Sequence, residues 1–261
     1  MRVKYQFRNV EVREEGSGPA VVLVHGYPLD GDMWSDVSRR LAPKFRVLRP
    51  DLPSRRDTPH PPQPSMAEYA GWIAAVADAA GGKVGIAGFS MGGYVLFELL
   101  RARPEVVAAA AFVDTQGGAD DGAGRQARNR AIFTAREMGP SAVSDGMIPK
   151  LLSAGARSRP DLVARVRAIV RRQNPNSIEN DLLAMRDRAD SLPSLGTIAV
   201  PALVLVGSED AITPVERAES IARGIPGAEL VTVPGAGHLS PMENPDAVAA
   251  ALSSFFAKSL A

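Results

Sequence analysis

A serine set among glycines, Gly88-Phe89-Ser90-Met91-Gly92, separates the apolar run 84–87 from the amphipathic stretch 91–103. The change of period across five residues predicts a buried strand, a sharp turn and a helix. The glycines leave room for a bend with the serine at its apex. A chain built on such a unit packs each helix back on the strand that it follows. Repetition of that unit gives a parallel sheet covered by helices.

The rest of the sequence repeats the pattern. Runs 3–7 and 10–13 alternate in character and read as an antiparallel hairpin. Further strands are predicted at 20–24, 45–48, 84–87, 108–113, 202–206 and 229–233, several of them almost wholly apolar. Continuous apolar runs suit strands buried on both faces of a sheet. Helical patterns lie between them at 33–41, 66–80, 91–103, 213–222 and 245–256.

The stretch 116–195 breaks the alternation: it carries several helical patterns and no convincing strand. Connections this long usually have a function. The expected organisation is a core of residues 1–115 and 196–261 with a helical cap, or lid, over 116–195. A run of ordinary crossover helices is the plainer alternative.

Bulk properties narrow the partners. The 261 residues carry a net charge of +1 and show no basic stripe with interleaved aromatics, so no nucleic-acid partner is expected. The longest apolar run, 106–113, is far short of a membrane span. Residues 1–10 carry charges throughout and lack the apolar segment of a secretory leader, so a cytoplasmic location is expected. The absence of cysteine excludes disulfides, thiolate catalysis and cysteine-based zinc sites.

A serine hydroxyl needs a base to act as a nucleophile at neutral pH. Of three histidines, His238 follows the last predicted strand, which places it at the same end of the sheet as Ser90. His25 ends the run 20–24 and is expected to orient a loop. His60 lies among prolines in a segment expected to be exposed. The imidazole in turn needs an acid to fix its tautomer. Asp210, after the run 202–206, is the preferred candidate, and Asp114, after 108–113, is its rival. Two backbone amides must face the oxyanion of an acyl-transfer intermediate. Met91, next after the nucleophile, and Tyr27, in the loop after 20–24, are the expected donors.

These residues, with His25-Gly26-Tyr27-Pro28, Asp51-Leu52-Pro53, Gly207-Ser208-Glu209-Asp210 and Gly235-Ala236-Gly237-His238, resemble the α/β-hydrolase superfamily over nearly the whole chain. The sequence is similar to its small bacterial esterases, enol-lactonases and cofactor-free perhydrolases. The resemblance implies an eight-stranded, mostly parallel sheet flanked by helices, with an antiparallel second strand and a helical cap after the sixth. It implies no metal and no organic cofactor. One departure concerns the turn after Asp51-Leu52-Pro53, which is glycine-rich in many relatives. Here it reads Ser54-Arg55-Arg56-Asp57 and runs into a proline-rich stretch.

A serine nucleophile points to ester, thioester, lactone or peracid chemistry on a small molecule. The leading expectation is a serine esterase acting on carboxylic esters. The alternatives are a lactone or enol-lactone hydrolase or a perhydrolase with the same triad, and a small-molecule receptor on the same scaffold. Trp34, Phe89, Phe133 and Ile148 are candidate pocket residues. The stretch 116–195 holds 13 Arg and Lys against 9 Asp and Glu, a net of +4. An arginine there, Arg130 or Arg171, is a candidate for binding a substrate carboxylate.

Overall fold

The computed structural model describes residues 1–5, 8–53 and 64–261. His60, the turn 54–57 and the last two residues of the predicted strand 3–7 lie outside the described residues. The chain forms an eight-stranded sheet. In chain order the strands are β1 (Arg2–Tyr5), β2 (Arg8–Glu15), β3 (Ala20–Val24), β4 (Arg46–Pro50), β5 (Val84–Phe89), β6 (Val107–Val113), β7 (Ala202–Gly207) and β8 (Glu229–Val233). Their spatial order is β1-β2-β4-β3-β5-β6-β7-β8. β2 runs antiparallel to both β1 and β4, and the other neighbours are parallel.

Burial follows position in the sheet. All six residues of central β5 and of β7 are buried, whereas edge strand β8 buries only Val233. Each fully buried Val, Leu, Ile or Phe side chain contributes roughly 1.5–3 kcal/mol of transfer free energy. The β-branched and small residues of Ala20–Val24 and Val107–Val113 suit strands covered on both faces.

Helices α1 (Ser35–Leu41), α2 (Met66–Ala79) and α3 (Met91–Ala102) connect the first strands. The run 33–41, expected as one helix, begins as the 3₁₀ turn Gly31–Trp34, where the Asp30 side chain accepts from the Asp32 amide. The Ser65 hydroxyl caps α2 by accepting from the Glu68 amide.

Between β6 and β7 lie α4 (Gly122–Leu151), α5 (Ala154–Arg157), α6 (Pro160–Arg171) and α7 (Pro175–Arg186). α4 is bent into two arms at Gly139, whose φ of 73° is followed by Pro140. This helical insertion is tied to the sheet-bearing part of the chain at several points. The Tyr69 hydroxyl of α2 donates to Asp181 of α7 at 3.0 Å. Arg172, at the end of α6, grips the buried carboxylate of Asp30 through Nε and Nη2, at 2.7 and 2.6 Å. The chain closes with α8 (Val215–Gly224), the single turn α9 (Ser240–Glu243) and α10 (Pro245–Ser259). Among the described residues, no helix is long and apolar enough to cross a membrane.

Candidate active site

Ser90 sits between β5 and α3 with φ 51° and ψ −112°. A non-glycine residue held there stores on the order of 1–3 kcal/mol of strain. The surroundings hold it in place. Its amide donates to the Val113 carbonyl at 2.9 Å, and its own carbonyl accepts from the Thr115 hydroxyl at 2.7 Å. The turn closes only because glycine precedes and follows it. A Cβ on Gly88 would lie 2.3 Å from the Gly92 carbonyl oxygen, and one on Gly92 would lie 2.5 Å from that of Val24.

The loop after β8 brings His238 to this apex. Its Nε2 lies 3.0 Å from Ser90 Oγ, and its Nδ1 lies 2.8 Å from Asp210 Oδ2. With Nδ1–H donating to the carboxylate, Nε2 is the nitrogen left to accept the serine proton. His238 is buried, and its ring packs at a tilt on Phe89, centroids 5.1 Å apart. The imidazole therefore has a fixed orientation.

Asp210 accepts four hydrogen bonds. Besides His238, the amides of Ile212 and Thr213 donate to Oδ1 at 2.8 Å each, and the Thr213 hydroxyl donates to Oδ2 at 2.7 Å. Burial pushes its pKa up, but the His238 charge and the hydrogen bonds from His238 and Thr213 outweigh that, and the net shift is downward. Asp210 thus stays a carboxylate beside the imidazole.

Asp114, the rival acid, is engaged elsewhere. Its Oδ1 accepts from the Gly207 amide at 2.8 Å, and its Oδ2 lies 2.5 Å from Ser240 Oγ. Complete burial, reinforced by the Asp210 charge, holds its pKa well above the usual carboxylate range. His25 braces a loop: its Nε2 accepts from the Leu52 amide at 3.0 Å, while Nδ1 faces the Gly26 carbonyl at 3.1 Å.

Thr115, Thr213, Ser240 and Glu243 lay outside the sequence-based expectation. Thr213 reaches Asp210 only three positions away, but the contacts of Thr115 with Ser90, of Ser240 with Asp114 and of Glu243 with Ser153 link residues up to 126 positions apart, which no local pattern reveals. Glu243 alone left a local sign, a charged residue four positions after the leucine of Gly237-His238-Leu239 in a largely apolar stretch.

β3 pairs in parallel with β5, Val24 opposite Gly88, so the residues after β3 emerge beside Ser90. Tyr27 lies in that loop and is buried, as is Met91, the first residue of α3. Tyr27 also lines a cavity of about 490 Å³ between the two arms of α4. Its walls are mostly small or apolar and include Ala127, Ala131, Val143, Gly146, Leu182 and Ile212, with Asp120, Arg128 and Lys150 as the charged residues that line it.

The remaining pocket candidates fall elsewhere. Trp34 and Phe89 are fully buried and meet edge to face, centroids 6.3 Å apart, as core partners under the site. Ile148 is buried within the insertion. Phe133 is 66% exposed and does not line this cavity. α4 turns its neighbours Ile132 and Ala135 inward, which directs Phe133 outward. Arg130 is exposed outside the cavity, and Arg171 faces Asp145 at 3.7 Å. Among the described residues, no cluster of three or more His, Asp or Glu side chains is arranged to hold a metal ion.

The chain as a whole is similar to known proteins. The model of an alpha/beta hydrolase family matches residues 21–251. A pimeloyl-(acyl-carrier protein) methyl ester esterase of Xanthomonas campestris pv. campestris is 28% identical over 249 residues, covering 93% of this chain and 96% of that one. A thermophilic esterase from Thermogutta terrifontis, solved with malate bound, superposes with a TM-score of 0.94 at 32% identity, covering 99% of this chain and 98% of that one. The enol-lactonase from Burkholderia xenovorans LB400 superposes with a TM-score of 0.91 at 23% identity, over 98% of this chain and 100% of that one, a likeness of fold.

Proposed function

The chain belongs to the alpha/beta hydrolase family, and on that premise we propose that it cleaves carboxylic esters of small molecules through an acyl-enzyme on Ser90. One observation carries the reading. Ser90 Oγ, His238 and Asp210 form a continuous hydrogen-bonded line, with steps of 3.0 and 2.8 Å. Two similar proteins, the Xanthomonas and Thermogutta esterases, bear the same class of activity in their names.

In this mechanism Ser90 Oγ attacks the ester carbonyl carbon while its proton passes to His238 Nε2. Asp210 stabilises the imidazolium so formed. The carbonyl electrons move onto oxygen, which the Met91 and Tyr27 amides bind, aided by the positive N-terminal end of α3. The intermediate collapses, and His238 returns its proton to the departing alcohol. Water then adds to the acyl carbon, giving its proton to His238, and in the second collapse the bond from the acyl carbon to Ser90 Oγ breaks, His238 returns the proton to Oγ and the carboxylic acid leaves.

The helices α4–α7 act as a cap, and the cavity between the arms of α4 receives the substrate. Its mostly apolar lining suits a hydrocarbon portion of the ester, and Tyr27, the residue assigned to the oxyanion, is one of the residues that line it. Ring-opening of a lactone would use the same three residues, and a panel of linear and cyclic esters separates the two.

The decisive experiment compares hydrolysis of short p-nitrophenyl esters by the wild type and Ser90→Ala. Loss of the nucleophile should lower turnover on the order of a million-fold. A wild type without turnover, or a folded Ser90→Ala variant that matches it, refutes the assignment.

A further inference from the structure

Glu243 is a buried carboxylate that takes no part in the line from Ser90 to Asp210. Its Oε2 accepts from the Gly237 amide at 3.0 Å and from the Ser153 amide at 3.1 Å. Its Oε1 accepts from the Leu239 amide at 3.2 Å. Gly237 and Leu239 are the residues on either side of His238. Ser153 belongs to the helical insertion, where it caps α5. One carboxylate thus holds both flanks of the candidate base and one point of the insertion. Hydrogen bonds to an ionised acceptor are roughly twice as strong as neutral ones.

Two further contacts join the same pieces. The Leu239 amide also reaches the Leu151 carbonyl, at the end of α4, at 3.0 Å. The Arg159 guanidinium donates to the main-chain carbonyl of Glu243 at 2.9 Å. The chains approach so closely that only glycine fits at 237. A Cβ there would stand 2.5 Å from the Ser153 nitrogen and 2.9 Å from the Leu152 carbonyl carbon.

We propose that Glu243 is a positioning residue that fixes the backbone on both sides of His238 to the helical insertion, so that imidazole placement and insertion docking form one unit. The proposal rests on the role given above to His238. Glu243 touches neither that ring nor the reacting atoms; it acts through the main chain. Its consequence is directional: a change that lifts residues 151–153 away from the His238 loop also displaces the base. Substrate bound under the insertion therefore acts on the base through the residues that hold it.

Glu243→Gln tests this with little change of shape. The amide keeps one acceptor oxygen, while its NH₂ group now faces backbone N–H donors. A displacement of about 1 Å at a reacting group costs on the order of 100-fold in rate. The expected result is a kcat lowered by about that factor with KM little changed. Two readouts independent of turnover accompany it. The proton shared by His238 Nδ1 and Asp210 should lose its downfield NMR position. The amides of Ser153, Gly237 and Leu239 should exchange with solvent faster, and together. Glu243→Ala should show the same pattern more strongly, and if it does not fold, Glu243→Gln decides alone.

The proposal is overturned if Glu243→Gln keeps both the wild-type kcat and the wild-type imidazole proton signal. It is equally overturned if the three amides loosen while kcat and that signal stay put, because Glu243 would then be a clip without influence on the base. A wild type with no Ser90-dependent turnover defeats the hydrolase reading instead. In that case the imidazole proton and the amide exchange still decide the role of Glu243.

Discussion

Asp114 and Asp210 follow neighbouring parallel strands, β6 and β7, yet only Asp210 bonds to His238, at 2.8 Å. Asp114 turns to Gly207 and Ser240. The two acids therefore serve different ends. Asp210 faces the imidazole, while Asp114 pins the strand end that leads to Asp210 and the turn just after His238. Thr115, next in the chain, donates to the Ser90 carbonyl, so a single dipeptide touches all three loops of the site.

Asp210→Asn should lower kcat by about 10⁴-fold, because an amide at that position favours the wrong imidazole tautomer. KM should change little, since Asp210 does not line the cavity proposed to receive the substrate. Steady-state kinetics on a short p-nitrophenyl ester measure both. Retention of wild-type kcat would remove Asp210 from the mechanism.

Asp114→Asn should behave differently. An asparagine can accept from the Gly207 amide and donate to the Ser240 hydroxyl, so the contacts survive and activity should stay close to wild type. The folded protein holds the proton of Asp114 more tightly than the unfolded chain does, first through burial and then through the Asp210 charge. The associated stability is complete below the ordinary aspartate pKa of about 3.9 and is eroded as pH rises above it. Asparagine removes that erosion. The melting temperature of the variant relative to wild type should therefore climb between pH 4 and pH 8. A flat difference, or a kcat loss like that of Asp210→Asn, would contradict this account.

The Arg172–Asp30 pair anchors the end of α6 to the loop after β3. Arg172→Ala leaves the Asp30 carboxylate buried with fewer partners, although the Gln173 side chain and the Asp32 amide still donate to it. The expected loss at neutral pH is about 1–3 kcal/mol, toward the lower end because Arg172 is partly exposed to solvent. Burial raises the Asp30 pKa, but its bonds to Arg172 more than reverse that, and the net shift is downward. The stabilisation is therefore present above the ordinary aspartate pKa of about 3.9 and is lost as pH falls below it. Denaturant titrations at pH 7 and at progressively lower pH should show the gap between variant and wild type closing on acidification.

Much of this arrangement was legible in the sequence because it depends on local order. The strand, turn and helix around Ser90 show themselves in a change of hydrophobic period over five residues. Asp210 and His238 stand in the loops that follow β7 and β8, and parallel strands deliver the residues beyond them to one end of the sheet. The contacts of Thr115 with Ser90, of Ser240 with Asp114 and of Glu243 with Ser153 were not legible, since they join segments far apart in the chain. The outward direction of Phe133 was not legible for a different reason. Apolar spacing identifies one face of a straight helix, but α4 bends at Gly139, and each arm presents its own inward face. The candidates Arg130 and Arg171 belong to a similar case: charge could be counted from the sequence, but not the direction in which each side chain leaves its helix.

Gly146 supplies the test of the cavity itself. It lies on the second arm of α4, lines the cavity, and has no atom within 4 Å of where a Cβ would stand. Glycine in a helix interior is about 1 kcal/mol less favourable than alanine. Gly146→Ala should therefore raise stability by up to about that amount with little effect on activity. Gly146→Leu and Gly146→Phe project larger side chains into the same space. If the cavity holds the acyl chain, these variants should lose activity on long-chain p-nitrophenyl esters while keeping it on the acetate, which moves the chain-length optimum downward. An acyl series run on all three variants measures that shift. A parallel loss across every chain length would mean that the larger residues disturb α4 as a whole. An unchanged profile would mean that the acyl chain lies elsewhere, and the cavity would then be open to the alcohol portion of the ester.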